Sequence, residues 1–271
     1  MIFVYFWIFT LLVTGAYLLL AAHATVWGAL LTALLGFLGA NVLFALFFWV
    51  NSLLQKDQPL EKQSRVCRWT CRSVGRWLGG WAGMRVHITG REKLPEGEPF
   101  LFVSNHRSMF DPLLVIGYLP EYNISFVSKP SNLELPIAGI TAKKAGFLAI
   151  DRENNREALK TILQAADYLK RGICNIGIYP EGTRNRTQEL LPFHAGSFKI
   201  AQKAGVPVVV ASVRGTEHVK DCLFFKRTPV YLNILECIDA ETVKSMSTPE
   251  LADHAKAIIE ADLVSAQSFR E

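Results

Sequence analysis

The run Asn105-His106-Arg107-Ser108-Met109-Phe110-Asp111 sets a histidine five residues ahead of an aspartate, directly after the strand-like stretch Phe100–Ser104. An imidazole takes up and returns a proton near neutral pH, and a carboxylate bonded to its far nitrogen fixes the tautomer it presents. His106 and Asp111 are thus the outline of a general base and the acid that orients it. On one continuous helix, residues five apart point about 140° away from each other, so the two can meet only across a turn. Pro112 follows Asp111, which reads as an N-cap aspartate with proline at the first helical position and leaves His106 in the strand-to-helix loop. In isolation this HxxxxD pattern is short enough to recur by chance, and Asp111 then only caps a helix. No third ligand lies nearby at metal-binding spacing, so no metal is expected.

Three further segments raise the specificity. Gly146-Phe-Leu-Ala-Ile-Asp151-Arg152 ends an apolar run in an acid and a base, and Tyr179-Pro-Glu181-Gly182-Thr183-Arg184 does the same after Cys174–Ile178. Val206-Pro207-Val-Val-Val-Ala211 is an apolar strand opened by proline. Taken singly, Asp151-Arg152 and Glu181 with Arg184 read as strand-end salt bridges. In this order and spacing, from about Val86 to Val213, the four segments closely resemble the four blocks of the glycerolipid acyltransferases, specifically the lysophosphatidate (1-acylglycerol-3-phosphate) acyltransferases. The resemblance implies a catalytic pair His106 and Asp111 and an acceptor site that includes Arg152, Glu181, Gly182, Thr183 and Arg184. Lys129, in Ser-Lys-Pro, resembles a family position associated with substrate phosphate. Two departures stand out: Tyr179 occupies a place usually held by phenylalanine, and His194 stands where a basic residue is common.

The chemistry this implies is acyl transfer from a thioester to a lipid hydroxyl, giving phosphatidate. A neutral hydroxyl is a poor nucleophile, and His106 would remove its proton as attack occurs. No GxSxG elbow is present, and Ser108 carries no sign of being a nucleophile, so direct transfer in a ternary complex is preferred to an acyl-enzyme. Gly182 would let the backbone approach the acceptor, Arg184 would grip phosphate through two parallel hydrogen bonds, and Glu181 would orient Arg184 or bind a glycerol hydroxyl. No cofactor is expected; acyl-CoA or acyl-carrier protein is the co-substrate. Another lysophospholipid or glycerol 3-phosphate as acceptor, a membrane-tethered hydrolase or transacylase, and a noncatalytic lipid-binding protein are the alternatives.

These residues must be held by something, and the chain falls into three parts. Residues 1–55 contain none of the 29 basic or 24 acidic residues. Ile2–Ala22 and Trp27–Val50 are each long enough for one membrane helix, and the short break His23–Thr25 between them makes a hairpin. A cleaved signal peptide fits poorly, because no basic region precedes the apolar run. Residues 56–83 carry Lys56, Lys62, Arg65, Arg68, Arg72 and Arg76, which place this side in the cytoplasm. At 100° per residue the arginines form one stripe, with Val66, Val74, Trp77, Leu78 and Trp81 opposite, as in a helix at an anionic membrane surface. The same face could equally pack on the domain.

Residues 84–271 alternate short apolar strands with helices, which predicts an α/β fold: a mixed or largely parallel sheet flanked by helices. Strands are expected at Arg85–Ile88, Phe100–Ser104, Ile124–Ser128, Phe147–Ile150, Cys174–Tyr179, Pro207–Val213 and Pro229–Leu235. Helices are expected at Asn155–Lys170, from near Ala195, and from Thr248 to about Phe269. Five cysteines without a disulfide framework read as free thiols. The net charge of +5 is gathered beside the membrane segment and gives no reason to expect nucleic acid as a partner. The sequons at Asn123 and Asn185 would go unused on a cytoplasmic face.

Overall fold

The computed structural model describes residues 2–21, 25–53, 59–185, 187, 189–221 and 227–268. His23, Lys56, Arg186, Cys222 and Phe269 lie outside the described residues. Two apolar helices come first, α1 (Ile2–Leu20) and α2 (Val26–Leu53). They pack antiparallel: the Trp7 ring lies 6.2 Å from Phe37, Gly36 sits against Thr10 and Val13, and Gly28 lies under Tyr17. A side chain at Gly28 would run into the Tyr17 ring, so glycine lets the helices close at this end. Of the two expected spans, one meets the length requirement among the described residues: Val26–Phe47, 22 residues with a mean hydropathy of 2.2 and only 11% buried. Its leucines and Trp27 stay exposed, a surface that suits hydrocarbon better than water.

Helix α3 (Arg65–Trp81) starts where Ser64 caps it, its side chain accepting from Cys67 N. Its buried residues are small ones, Cys67, Thr70, Ser73, Gly75 and Gly79, which lie between the larger side chains on both the arginine and the tryptophan sides. Gly75 and Gly117 face each other across α3 and α4 (Phe110–Tyr118), where an added Cβ would lie 2.8 Å from Leu113 O or 2.6 Å from Arg76 N. Only glycine permits that backbone approach. The packing leaves Val66, Trp69 and Trp81 exposed.

The remaining elements build the α/β unit: β1 (Met84–Thr89), β2 (Leu101–Ser104), β3 (Ile124–Ser128), α5 (Pro130–Leu133), α6 (Ala138–Lys144), β4 (Leu148–Ala149), α7 (Asn155–Lys170), β5 (Asn175–Ile178), α8 (Lys199–Ala204), β6 (Val208–Arg214), β7 (Thr228–Ile238), α9 (Ala240–Ser245) and α10 (Thr248–Ser268). The strands form one mixed sheet in the order β1-β7-β6-β2-β5-β3-β4. Every neighbouring pair is parallel except β6 with β7. Strands buried on both faces read as unbroken apolar runs, and Leu101, Phe102, Val103 and Ser104 are indeed all fully buried. Leu101 and Val103 belong to the core under α7, α8 and α10; Phe100 and Phe102 belong to the core under α4. In α7, capped by Asn154, the buried residues are Ala165, Ala166, Tyr168 and Leu169, while Leu159 is exposed. The four described cysteines are free thiols.

Because β2, β3, β4 and β5 run in the same direction, their carboxyl ends share one edge of the sheet. The loops that follow them carry His106, Lys129, Arg152 and Glu181–Arg184 respectively. Loops at the carboxyl ends of parallel strands are where α/β folds place their ligands.

Candidate active site

His106 leaves β2 in a loop that is pinned from three sides. Asn105, fully buried, bonds Val213 of β6 through both ends of its amide, each at 2.8 Å. Asn185 N donates to His106 O at 2.7 Å. Glu181 Oε1 accepts from His106 N at 2.8 Å. The loop is thereby bonded to the turn after β5 and to β6 itself, the two neighbours of β2 in the sheet.

Within that frame His106 Nδ1 lies 2.7 Å from Asp111 Oδ2. The same carboxylate oxygen accepts from Arg107 N at 2.7 Å and Ser108 N at 2.8 Å, and Oδ1 accepts from Thr216 Oγ1 at 2.5 Å. Asp111 is fully buried, so an unpaired charge there would be costly and four donors stabilise it. With Asp111 on Nδ1, Nε2 is the nitrogen left for a substrate, and the ring is 18% exposed. Asp111 is not the N-cap expected of it: α4 begins at Phe110 with Met109 at the N-cap, so Asp111 and Pro112 fall inside the first turn. Proline is tolerated there because first-turn N–H groups have no helical acceptor, and the carboxylate reaches back to the amides of the loop.

Tyr179 forms the floor. Its ring stacks on His106 with centroids 4.1 Å apart and planes 11° apart, and its other neighbour, Phe126, stacks at 5.1 Å and 8°. Burial, with the charge of Asp111 adding to it, pushes the phenol well above its usual pKa.

The turn after β5 divides its work. Glu181, almost completely buried, gives its carboxylate to His106 N, Asn185 Nδ2 and Leu191 N. Its partners are thus the loop itself and not Arg184. Gly182 adopts φ +75°, and a Cβ there would lie 2.9 Å from the His194 ring and 3.4 Å from Arg152 Nη1. Arg152 and His194 therefore meet at this glycine. Thr183 and Arg184 are exposed on the same turn, and Lys129 is exposed at the end of β3. No hydrogen bond or ion pair joins Lys129 or Arg184 to the His106–Asp111 pair among the described residues. Thr216 and Asn105 are the site residues that sequence reasoning missed. Thr216 lies 105 positions from its partner, and no local pattern marks it.

The site thus sets a histidine on a buried carboxylate beside the exposed cations Lys129, Arg152 and Arg184 at the carboxyl edge of an α/β sheet. The Ser108 hydroxyl oxygen accepts from Phe110 N at 3.4 Å, and no cluster of three metal-ligating side chains occurs among the described residues. The fold is shared with the crystal structure of the 1-acyl-sn-glycerophosphate acyltransferase PlsC from Thermotoga maritima, with a TM-score of 0.63 over 98% of each chain at 22% identity. Residues 85–214 match the family model described as Acyltransferase. The 1-acyl-sn-glycerol-3-phosphate acyltransferase beta of Homo sapiens is 31% identical over 203 residues, 74% of this chain and 71% of that one. The alpha enzyme of Ovis aries is 31% identical over 176 residues, 64% of this chain and 61% of its own. This chain belongs to the acyltransferase family. It spans about three fifths of the length of the mammalian alpha relatives it matches.

Proposed function

We propose that this protein transfers a fatty acyl group from an acyl thioester to the free hydroxyl of 1-acylglycerol 3-phosphate, forming phosphatidate in phospholipid biosynthesis. The observation that carries the reading is the 2.7 Å His106–Asp111 contact on the strand edge that also carries Lys129, Arg152 and Arg184. The acceptor oxygen attacks the thioester carbonyl carbon while His106 Nε2 takes the hydroxyl proton. The tetrahedral intermediate then expels the thiolate, which regains that proton from the imidazolium. One C–O bond forms and one C–S bond breaks, so the thioester, as acyl-CoA or acyl-carrier protein, is the only co-substrate. Asp111 holds the Nδ1–H tautomer and stabilises the imidazolium. Arg152, Arg184 and Lys129 take the acceptor phosphate, with Gly182 and Thr183 shaping the turn beneath it. Glu181 holds the His106 loop.

The acceptor and the product carry acyl chains, so residues 1–55 sit in the bilayer and 56–83 at its anionic surface, with the catalytic unit 84–271 on the cytoplasmic face. The exposed apolar surface of α2 and the basic residues that follow it support this.

The test is an assay of the full chain in detergent with lysophosphatidate and either acyl-CoA or acyl-carrier protein, following phosphatidate and free fatty acid. Phosphatidate is expected, and His106→Ala should lose about 10²–10⁴-fold in rate. Fatty acid release without phosphatidate means a hydrolase, and lipid binding without turnover means a noncatalytic protein. Faster turnover of glycerol 3-phosphate or another lysophospholipid moves the acceptor.

A further inference from the structure

The phenol of Tyr179 is placed for its face. Its ring lies 4.1 Å from the imidazole of His106 and within 11° of parallel, and Phe126 backs it at 5.1 Å and 8°. The hydroxyl is buried and has no hydrogen-bond partner among the described residues, although buried tyrosine hydroxyls usually find one. A side chain selected for its hydroxyl would not leave it unpaired, since that omission costs stability. The π surface, by contrast, covers one whole side of the base.

We infer that Tyr179 is a positioning residue for His106, holding the imidazole plane and favouring its protonated form through the electron-rich face of the ring. An aromatic face carries partial negative charge and attracts a cation placed over it. His106 is neutral before proton transfer and cationic after it, so the stack stabilises the charged species that the reaction creates. Asp111 acts from the ring edge through Nδ1, and Tyr179 acts from the face. The two leave Nε2 in the imidazole plane for the substrate hydroxyl. The charged groups bonded to His106 are Asp111 from α4, at Nδ1, and Glu181 after β5, at the backbone N; Arg107, next in the loop, sends its guanidinium to Thr187 O. Thr216, after β6, is neutral. None of these lies stacked on the ring, so the face effect is separable from theirs.

This inference rests on His106 being the base, and its test separates the two ideas. Activity requires neutral His106, so kcat/KM rises with pH along an acid limb whose midpoint reports the histidine. A ring face worth about 0.5–1 kcal/mol displaces that midpoint by roughly half a pH unit. Tyr179→Phe is the reference, since it keeps the face and removes the orphan hydroxyl. Genetically encoded 4-fluoro- and 3,4,5-trifluorophenylalanine at position 179 keep nearly the same shape while draining the ring of electron density. The expected result is an acid limb that moves to lower pH in step with fluorination, by about half a unit across the series. A limb that stays fixed across folded variants overturns the inference and leaves His106 as the base. Absence of any limb that His106→Ala removes overturns the base assignment itself. Tyr179→Leu, which abolishes the face, should move the limb further than trifluorophenylalanine; because its smaller side chain can unsettle the core, the isosteric series decides.

Discussion

Thr216 Oγ1 donates to Asp111 Oδ1 at 2.5 Å while His106 holds the other oxygen of the same carboxylate at 2.7 Å. The turn after β6 thus grips the Asp111 carboxylate from behind, and β2 and β6 are adjacent in the sheet. A buried carboxylate with one oxygen free could rotate; with both engaged it presents a fixed acceptor to Nδ1.

Thr216→Val keeps the shape and removes the donor. A hydrogen bond to a charged group contributes about 1.5–3 kcal/mol, and its loss here leaves Oδ1 buried and unpaired. The expected outcome is a lower melting temperature together with a kcat reduced about tenfold or more, with the KM values little changed. Unaltered kcat in Thr216→Val would mean that the backbone amides of Arg107 and Ser108 orient Asp111 without help.

Glu181 and Arg184 lie three residues apart, and their substitutions should separate in kinetics. Glu181→Gln weakens the bond to His106 N that sets the loop, so kcat should fall with the KM for lysophosphatidate nearly constant. Arg184→Lys loses the planar fork that matches phosphate, so the KM for lysophosphatidate should rise more than that for the acyl donor. The opposite pattern, with Glu181→Gln raising the acceptor KM alone, would return Glu181 to the acceptor site.

Burial pushes the Cys174 thiol from 9.0 up to about 12, and that shift has a signed consequence. The folded state disfavours the thiolate, so the protein gains stability in full below the unfolded value of about 9 and loses it as pH rises from there toward about 12. The slope is about 1.4 kcal/mol per pH unit for such a thiol. Denaturant unfolding at pH 8 and pH 10 should show a larger loss for the parent chain than for Cys174→Ala. Equal losses would mean that Cys174 ionises in the folded protein as easily as in the unfolded one. Tyr168 and Tyr179 are raised in the same direction and account for further loss at higher pH.

What could be read from the chain followed from what burial does to local composition. The inner strands appear as largely apolar runs, because a strand covered on both faces has nowhere to put a polar side chain, while the edge strand β1 alternates exposed Arg85, His87 and Thr89 with more buried neighbours. Helices α5, α6 and α9, of four, seven and six residues, are too short to show a 3.6-residue period and were not legible. In the site, His106 and Asp111 are five residues apart and local, so their meeting could be argued from turn geometry alone. The bonds from Asn105 to Val213 and from Asp111 to Thr216 depend on β2 lying beside β6, an order no local pattern states. The bonds of Glu181 were hidden for the same reason: its neighbour in sequence is Arg184, while the sheet brings its carboxylate to His106 N.

The hairpin and α3 supply the last prediction. Helix α2 leaves its apolar side chains exposed along Val26–Phe47, and α3 turns small residues toward α4 while Val66, Trp69 and Trp81 remain outside. If α3 lies at a membrane surface, the exposed Trp69, Trp81 and Arg65 meet it, while the Arg76 guanidinium lies 4.3 Å over the Tyr118 ring. Deleting residues 1–55 should therefore weaken flotation with liposomes and reduce activity on long-chain lysophosphatidate more than on a short-chain soluble analogue. Replacing Arg65, Arg68, Arg72 and Arg76 together by glutamine should make the residual binding less dependent on anionic lipid, at about 1 kcal/mol for each basic residue near such a surface. Flotation assays with neutral and anionic vesicles measure both effects. A truncated chain that floats as before and discriminates chain length as before would place the anchor elsewhere and end this account of how the lipid reaches His106.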